Sequence, residues 1–276
     1  MCVKRFKVSE RRACQSLGVH RSTIRYELTQ QPEEQRLVAE LHRLAREHPF
    51  YGYKKIWALL RRDGWVVNRK RVERLWRLEG LTIPPNQASG KPAEGSIDNA
   101  VWKVRAEHPN HVWALDFVTD RTKDGKRFRV LNIVDEFTRE CIYSHAERSI
   151  GATRVRAVLA EVMLRRGKPT ALRSDNGREF VAATVAEFLD QRGIQAWFIE
   201  KGRPQQNGIC ERFNGLMRTE LLNAEEFGSM TEANLLIREW VDHFNRRRPH
   251  GALGHKTPTE FRLAWKAVDS TRAQTA

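Results

Sequence analysis

Apolar residues recur at helical spacing in the first third of the chain. Between residues 33 and 80, three segments place apolar side chains three or four positions apart, the spacing of one buried helix face. Asn68 precedes the third segment and is a residue type that favours a helix N-cap. The pattern predicts three amphipathic helices, whose apolar faces carry Leu37, Val38, Leu41, Leu44 and Ala45, then Tyr53, Ile56, Trp57 and Leu60, then Val72, Leu75 and Trp76.

The pattern changes in the second part of the chain. β-prone segments at 111–120, 127–137 and 140–146 follow one another with short connections, which is typical of a three-stranded meander. Two further strand patterns, at 170–175 and 194–200, each follow a helical pattern that ends at a glycine. The order β-β-β-α-β-α-β-α predicts an α/β fold with a mixed five-stranded sheet flanked by helices, preceded by an all-helical region.

A segment rich in Pro, Gly and Ser separates the two patterns. Residues 82–99 contain few apolar side chains, and this composition is typical of a linker. The expected organisation is a helical DNA-binding region at 1–81, a linker at 82–107, a sheet-containing core at 108–225 and a helical extension of that core at 226–276.

The first residues carry another helical pattern. Ser9 can cap a helix through residue 17, Gly18 is placed to end it, and a second helix follows at 20–28. Two helices joined by a glycine turn are typical of a helix-turn-helix, whose second helix would here carry Arg21 and Arg25 towards DNA. A basic helical hairpin without that role fits the same pattern, and both interpretations stay open.

The charge of the chain favours a polyanionic partner. Its 276 residues have a formal net charge of +15, and the first 100 residues hold 20 Lys and Arg against 11 Asp and Glu. Nine cations fall between residues 54 and 77, beside caps and turns, which favours a surface that follows phosphates over a merely solvated face. The residues expected to contact DNA there are Lys54, Lys55, Arg69, Lys70, Arg71 and Arg74.

Cysteine usage and hydropathy argue against several classes of protein. The four Cys residues are scattered without a CxxC pair, which argues against a disulfide framework and a cysteine zinc site. The N-terminus lacks the apolar stretch of a signal peptide, and no run of 18 apolar residues occurs. We expect a cytoplasmic, nucleoid-associated protein that does not enter membranes and whose reduced thiols pack in the interior, namely Cys2, Cys14, Cys141 and Cys210.

Three carboxylates in the second part of the chain need an explanation. Asp116 lies inside an apolar strand, where an unpaired charge is costly. Asp175 ends the fourth strand, and sites in open α/β sheets gather at strand ends. Glu211 lies on a helix, roughly 200° around from its apolar stripe, on a polar side shared with Asn207 and Arg218.

Three carboxylates without cations in their own motifs would repel one another. Divalent metals relieve such repulsion, and hard oxygen ligands select Mg²⁺ or Mn²⁺. Two such ions can activate an attacking oxygen and stabilise a leaving oxygen at phosphorus. For Asp116 and Asp175 taken alone a structural role is an equally valid interpretation, because an Asp at a strand end is often a turn or cap residue, and for Glu211 taken alone the structural role is favoured.

Four other titratable residues also have open roles. Asp135 could approach Asp116 from the neighbouring strand, and Asp120 lies near a strand end. Glu179 lies in the first turn of a helix, where a negative charge favours the N-terminus. His250 fits a contact with DNA and a role in ordering the tail equally well.

Three segments with these carboxylates resemble the acidic motifs of retroviral-integrase-like DDE transposases. They are HVWALDFVTD, LRSDNGREF and KGRPQQNGICERFNG, with 35 residues between Asp175 and Glu211. Two further segments are similar to motifs in the second-reading-frame protein of IS-three-type bacterial insertion sequences. The tail motif is matched by NRRRPHGALGHKTPTEF, and the helical DNA-binding segment is matched by YGYKKIWALLRRDGWVVNRKRVERLWRLEGL. The resemblance covers about residues 9–265.

This resemblance implies a fold and a reaction. The core would have the ribonuclease-H-like fold of an integrase catalytic core, and Asp116, Asp175 and Glu211 would be catalytic and hold two Mg²⁺ (or Mn²⁺) ions. The chain would be a DNA transposase, in which a 3′-hydroxyl exposed by hydrolysis attacks a phosphodiester directly. Retroviral integrases also carry an N-terminal His/Cys zinc module, which this sequence lacks, so no zinc is expected.

The resemblance also implies partners. They are double-stranded DNA, as the element's terminal inverted repeats and as target DNA, further copies of the chain on DNA, and the upstream reading-frame protein of the same element. A loop of the third motif and the helix after it would contact the DNA end through Lys201, Arg203, Gln206, Asn207 and Arg218. Two rivals share these features: a DNA-binding regulator with a vestigial core, and a structure-specific nuclease of the same fold that cuts without joining.

Overall fold

The computed structural model describes residues 8–24, 32–82, 105–200 and 204–275. The predicted helices of the first part are present, and the described helices there are α1 (Glu10–Ser16), α2 (Arg21–Ile24), α3 (Pro32–Glu47), α4 (Tyr53–Arg62) and α5 (Arg69–Leu78).

Local capping residues set where two of these helices begin. Ser9 Oγ accepts a hydrogen bond from the Arg12 N–H, and Asn68 Oδ1 accepts one from the Lys70 N–H at 2.9 Å. Both predicted caps are therefore confirmed. The remainder of the second helix of the predicted helix-turn-helix, with Arg25, lies outside the described residues.

Helices α3, α4 and α5 bury their apolar faces against one another. Trp57 Nε1 donates to the Val67 carbonyl at 2.9 Å, which fixes the turn between α4 and α5. Together they form a small core from the side chains that the 3–4 spacing predicts to be buried. Its most deeply buried members are Leu37, Leu41, Ile56, Leu60 and Val72.

Five strands form one mixed sheet in the order β3-β2-β1-β4-β5. Strands β1, β2 and β3 pair antiparallel as the predicted meander, whereas β4 pairs parallel with β1 and β5 pairs parallel with β4. The strand bounds are β1 (Val112–Arg121), β2 (Arg127–Asp135), β3 (Cys141–Glu147), β4 (Ala171–Ser174) and β5 (Gln195–Phe198).

Helices cover both faces of the sheet, because β1 and β2 are apolar on both sides. Successive side chains of a strand point to opposite faces, so Ala114 and Val118 pack on one side while Trp113 and Leu115 pack on the other. The first face lies against α9 (Gly208–Met217) and α10 (Met230–Arg246). The second lies against α6 (Ala152–Arg166), α7 (Arg178–Val181) and α8 (Ala183–Asp190).

One predicted helix is wrong in its length. The sequence predicts a single helix through 177–193, but the structure divides it into α7 and α8 at Ala182, which has an extended ψ of 141°. The division lets Phe180 in α7 and Val185 in α8 both enter the core on the same side of the sheet. An uninterrupted helix would place these residues, five positions apart, on different faces.

The C-terminal residues continue with short and long helices. A 3₁₀ turn (Pro204–Asn207) leads into α9, a π-helical turn (Arg218–Leu222) follows it, and a second 3₁₀ turn (Gly251–Leu253) precedes α11 (Pro258–Thr275). The start of α11 is a capping box, in which the Thr257 N–H donates to Glu260 and the Glu260 N–H donates to Thr257 Oγ1. No described helix is long and apolar enough to cross a membrane.

The helical region contacts the tail of the core directly. Arg62 at the end of α4 donates to Glu260 at 2.7 Å and to the backbone carbonyls of Arg247 and His255. The Trp57 ring meets the His255 ring edge-on, with centroids 5.6 Å apart. These contacts place α4 beside the polypeptide that follows α10.

The described cysteines pack in the interior. Cys14, Cys141 and Cys210 are free thiols and are at most 3% exposed. Burial raises the pKa of the Cys141 and Cys210 thiols above the usual range. The predicted packing role is thus confirmed for these three, and Cys2 lies outside the described residues.

Candidate active site

The parallel pairing of β1 and β4 brings two carboxylates together. Ala114 of β1 lies opposite Arg173 of β4, and Asp175 directly follows β4, close enough for its charge to act on Asp116 two residues further along β1. Asp116 also lies opposite Asn132 in the antiparallel pairing of β1 with β2. Asp116 and Asp175, which are distant in sequence, therefore lie close together in the sheet.

Helix α9 brings Glu211 to the same position. The Asn207 side chain, just before α9, donates through Nδ2 to the Leu115 carbonyl at 3.1 Å. Asn214, two turns later, donates through Nδ2 to Asp116 Oδ2 at 2.8 Å. Since these two bonds hold the helix against β1 on either side of Glu211, its carboxylate lies on the side that faces Asp116.

The charges of the other two carboxylates act on Asp116. Burial, together with the negative charges of Asp175 and Glu211, raises the pKa of Asp116 to about 6. Hydrogen bonds from the Phe117 N–H and from Asn214 oppose this rise, but they do not cancel it. Burial also raises the pKa of Glu211. A carboxylate with an elevated pKa and like-charged neighbours favours a cation or a proton beside it.

A buried chain of amides lies behind Asp116. Ser144 Oγ donates to Asn132 Oδ1 at 2.6 Å, and Asn132 Nδ2 donates to Asn214 Oδ1 at 2.8 Å. The second amide of the chain, Asn214, is the donor to Asp116. Asn132 is fully buried, so its bond to Asn214 is made away from water, while the bonds at the two ends of the chain are partly buried. The sequence analysis missed this chain, although an Asn in an apolar strand and another three residues after Glu211 were available signals.

The turn after β4 holds the second carboxylate. Asp175 Oδ1 accepts a hydrogen bond from the Gly177 N–H at 3.0 Å. A Cβ at position 177 would lie 2.9 Å from that oxygen, closer than real Cβ atoms approach, and 3.3 Å from Glu179 Oε2, which is a tight contact. Asn176 ties the turn to the next strand by donating to the Ile199 carbonyl at 2.6 Å. Position 177 therefore requires glycine if Asp175 is to keep this orientation.

A divalent metal fits the site by donor chemistry. Carboxylate oxygens are the donors that Mg²⁺ and Mn²⁺ prefer, and the pKa of Asp116, raised by burial and also by the charges of Asp175 and Glu211, favours a cation beside it. Asn207 Oδ1 is also buried, without a hydrogen-bond partner among the described residues. As they stand, no three His, Cys, Asp or Glu side chains in the described ranges are close enough together to form a metal site.

Several basic residues predicted to contact DNA lie in the helical region. Arg71 and Arg74 reach Glu34 at 3.3 and 3.0 Å, and Arg21 lies 3.7 Å from Glu10. By contrast, the structure shows no carboxylate partner within the described ranges for Lys54, Lys55, Arg69 and Lys70. The cations predicted to contact DNA thus fall into two groups, those with a carboxylate partner and those without one in the described ranges.

The predicted DNA-end residues lie around α9. Arg218 donates to Asp120 at 3.0 Å and to the Thr119 carbonyl, so its charge is paired on the edge of β1. Gln206 accepts from the Glu200 N–H at 2.9 Å and thereby closes the short loop between β5 and α9. Lys201 and Arg203 lie outside the described residues.

Two further carboxylates have structural contacts. Asp135 lies opposite Trp113 and accepts from the backbone N–H groups of Phe137 and Thr138 at 2.9 and 2.8 Å, so it fixes the turn after β2. Glu179 forms an ion pair with Arg129. These contacts account for both residues without a role for either beside Asp116.

The chain matches three family models along most of its length. Residues 32–88 match the HTH-like domain, and residues 106–204 and 192–258 match two models described as integrase core domain. The HTH-like match lies C-terminal to the helix-turn-helix that the sequence predicts at 9–28. The two core matches together cover the sheet, α9 and α10.

Curated relatives are bacterial insertion-element proteins. The "Insertion element IS407 uncharacterized 31.7 kDa protein" of Burkholderia multivorans is 33% identical over 265 residues, which cover 96% of this chain and 94% of that protein. The "Insertion element IS476 uncharacterized 39.2 kDa protein" of Xanthomonas euvesicatoria is also 33% identical, with 96% and 76% covered. The "Transposase for insertion sequence element IS629" of Shigella sonnei is 29% identical, with 84% and 80% covered.

The fold is also found among solved structures. A chain of the cryo-EM structure of the simian T-cell lymphotropic virus intasome with the PP2A regulatory subunit B56 gamma aligns with a TM-score of 0.51 and 16% identity. The alignment covers 82% of this chain and 74% of that chain. It confirms the expected ribonuclease-H-like integrase-core fold. With an HTH-like region followed by an integrase core, the chain belongs to the insertion-element transposases of the IS-three type.

Proposed function

We propose that the chain cuts and joins DNA with Asp116, Asp175 and Glu211 as its catalytic residues. The observation that carries this assignment is the position of Asp116 beside Asp175 in the β1–β4 register, with Glu211 close enough to raise the pKa of Asp116. The reaction is hydrolysis of one phosphodiester, followed by attack of the exposed DNA 3′-hydroxyl on a second.

Neighbouring groups orient the three carboxylates. The Phe117 N–H and Asn214 hold the two oxygens of Asp116, and the Gly177 N–H holds Asp175 Oδ1. Asn207 joins the start of α9 to β1 and so places Glu211. Because these donors are backbone groups or buried amides, the carboxylates are held in position before DNA binds.

Asp116, Asp175 and Glu211 would hold Mg²⁺ or Mn²⁺ in this proposal. When bound, the metal supplies positive charge to the oxygens around the reacting phosphorus. The chain's own contribution is to present three carboxylates at one edge of the sheet and to keep Asp116 partly shielded from water. No zinc is part of the proposal.

The two regions would divide the work between them. Residues 1–81 supply much of the affinity for DNA through basic helices, residues 82–107 connect them to the core at 108–225, and residues 226–276 extend that core. The DNA partners are the element's ends and the target, and the chain acts as a multimer in the cytoplasm, with the upstream reading-frame protein as a further partner.

The test is cleavage and strand transfer in Mg²⁺, with duplexes taken from the ends of the element that encodes the chain. Asp116→Asn, Asp175→Asn and Glu211→Gln should each lower both reactions by roughly 10³-fold or more, and pairs of substitutions should add little, because residues that act as one unit fail together. Duplex binding should persist in all three variants.

The matched control is Asp190→Asn, which removes an exposed carboxylate at the end of α8. It should leave both reactions unchanged. Cleavage without joining by the unsubstituted chain would favour the structure-specific nuclease, and DNA binding without either reaction would favour the regulator with a vestigial core. Near-normal strand transfer by Glu211→Gln would remove that residue from the catalytic set.

A further inference from the structure

A cavity of about 380 Å³ lies where the helical region meets the core. Its walls come from α4, the turn between β2 and β3, one side of α9, and the segment between α10 and α11. The side of α9 that lines the cavity carries Gly208, Arg212 and Leu216, whereas Glu211 and Asn214 lie on its other side. The cavity is therefore separate from the carboxylate site but is built on the same helix.

Four cations line this cavity. They are Lys55 of the helical region and Arg139, Arg212 and Arg248 of the core. Arg248 forms a buried ion pair with Glu220. Within the described part of the chain, the other three form no ion pair, and no Asp or Glu lines the cavity. Glu136 and Asp135 act on Arg139, and Glu220 acts on Lys55, but none of these carboxylates lines the cavity or forms an ion pair with these three cations.

The four cations act on one another across the cavity. Burial, together with the charges of Arg248 and Arg212, lowers the pKa of Lys55 to about 8. Burial and neighbouring cations, including Arg212, also lower the pKa of Arg139. Like charges gathered in a partly desolvated space destabilise the charged forms, and an entering anion would remove that penalty.

The remaining walls suit a nucleotide better than a bare ion. Ile209, Phe213 and Phe244 give the cavity apolar sides, and Gly208 and Ile209 line it from the first turn of α9. His250, which meets Phe244 edge-on at 4.6 Å, has a buried Nε2 without a partner among the described residues. Cations beside apolar walls can receive a phosphate and the sugar that carries it.

We propose that this cavity binds a phosphate group of the DNA backbone, shared between Lys55 and the arginines Arg139, Arg212 and Arg248. The sequence predicted DNA contact for Lys55 alone among the four, and the structure adds three partners from the core. Because Lys55 belongs to the helical region, a phosphate bound there would fasten that region to the core. The proposal rests on the proposed function only in taking DNA as the polyanion.

The first experiment measures binding of the full chain to a short fluorescent duplex of arbitrary sequence at increasing NaCl. Arg139→Gln and Arg212→Gln should each lower the slope of log K against log salt by about 0.9, the value for one phosphate contact. The control is Arg156→Gln, an exposed arginine of α6 on the opposite face of the sheet, which should leave the slope unchanged.

The second experiment reports on the cavity itself. Lys55 is acylated with an amine reagent, with and without the duplex, and its modification is compared by mass spectrometry with that of the exposed Lys168, which follows α6. The duplex should protect Lys55 in the unsubstituted chain and should protect it several-fold less in Arg212→Gln. The Arg212→Lys variant, which keeps the charge, should retain protection.

Each outcome decides the proposal. Unchanged slopes in both Gln variants, or an unprotected Lys55 in a chain that still binds the duplex, would overturn it and leave the proposed function intact. Protection by inorganic phosphate or by polyglutamate, but not by the duplex, would replace DNA with a free anion or an acidic protein. No binding of any duplex, including the element's ends, would instead count against the proposed function.

Discussion

Asn214 and Asp116 are 98 residues apart in sequence, yet the Asn214 side chain donates to Asp116 Oδ2 at 2.8 Å. The same amide accepts from Asn132 through its Oδ1. An amide that is both donor and acceptor in a buried chain is fixed in orientation, so it holds Asp116 in one rotamer. Asn214 is therefore a positioning residue that acts through the carboxylate.

Replacing Asn214 by Leu should lower stability and raise the pKa of Asp116 further. The substitution removes a bond that favours the carboxylate and leaves the buried Asn132 Nδ2 without its acceptor, which costs on the order of 1–3 kcal/mol. Denaturant unfolding at neutral pH measures the first effect, and an NMR titration of the Asp116 carboxyl measures the second.

A double-variant cycle tests whether the hydrogen-bonded amides Asn132 and Asn214 stabilise the fold together or as two independent hydrogen bonds. Asn132→Leu together with Asn214→Leu should cost less than the sum of the single substitutions, because their shared hydrogen bond is lost only once. The exposed Asn223→Leu is the control and should change stability little. Full additivity of the two buried substitutions would contradict the coupling.

Because the pKa of Asp116 is elevated, we expect Asp116→Asn to increase the stability of the fold by an amount that depends on pH. The folded chain holds the Asp116 proton up to about pH 6, whereas an unperturbed Asp has a pKa of 3.8, so ionisation costs the fold stability as pH rises between these values. Above pH 6 the Asn variant should be more stable by on the order of 1–3 kcal/mol. The gain should shrink as pH falls towards 4 and disappear below about pH 3, where both states are protonated.

Unfolding curves from pH 4 to pH 8 in the presence of a metal chelator measure this difference. Asp190→Asn, at an exposed position of α8, should leave the pH dependence unaltered. A gain that is the same at every pH would show that shape, and not charge, accounts for the effect of the substitution.

Gly177→Ala should impair the second carboxylate more than the fold. The new Cβ would lie 2.9 Å from Asp175 Oδ1, so either the turn or the carboxylate must move. Strand transfer should fall by roughly 10-fold to 100-fold, since small displacements of catalytic groups have effects of that order. DNA binding should remain.

The comparison for Gly177→Ala is Gly215→Ala within α9, where the added Cβ would meet no neighbouring atom within 4 Å. That substitution should stabilise the helix by about 0.5–1 kcal/mol and preserve activity. Equal activities of the two variants would mean that the Gly177 turn does not orient Asp175.

Cations of the helical region should differ in their contribution to DNA binding. Arg69→Gln removes a charge with no carboxylate partner in the described chain and should lower the salt slope by about 0.9. Arg74→Gln removes a charge already paired with Glu34 at 3.0 Å and should lower it less. Duplex titrations at several salt concentrations give both slopes, and equal slopes for the two variants would contradict this distinction.

Patterns along the chain were sufficient to predict the elements and the three carboxylates. Period-2 alternation identified the strands, 3–4 spacing identified the helices, and a charged residue in an apolar strand identified Asp116. The predicted strands and helices are present because each depends on a few neighbouring residues, whereas the catalytic role of the three carboxylates stays a prediction. The exception is the break at Ala182, where helix-forming residues continue but packing of α7 and α8 on the sheet favours an extended residue.

Only the tertiary structure decided which residues meet. The placement of Asp175 beside Asp116 depends on the β1–β4 register. The hydrogen-bonded amides of Asn132 and Asn214 join three elements. Arg62 forms a hydrogen bond with Glu260, which is 198 residues away in sequence. The cavity around Lys55 likewise exists only where two regions contact each other. Such contacts follow from strand register and helix packing, which depend on the whole core and leave no periodic trace in the local sequence.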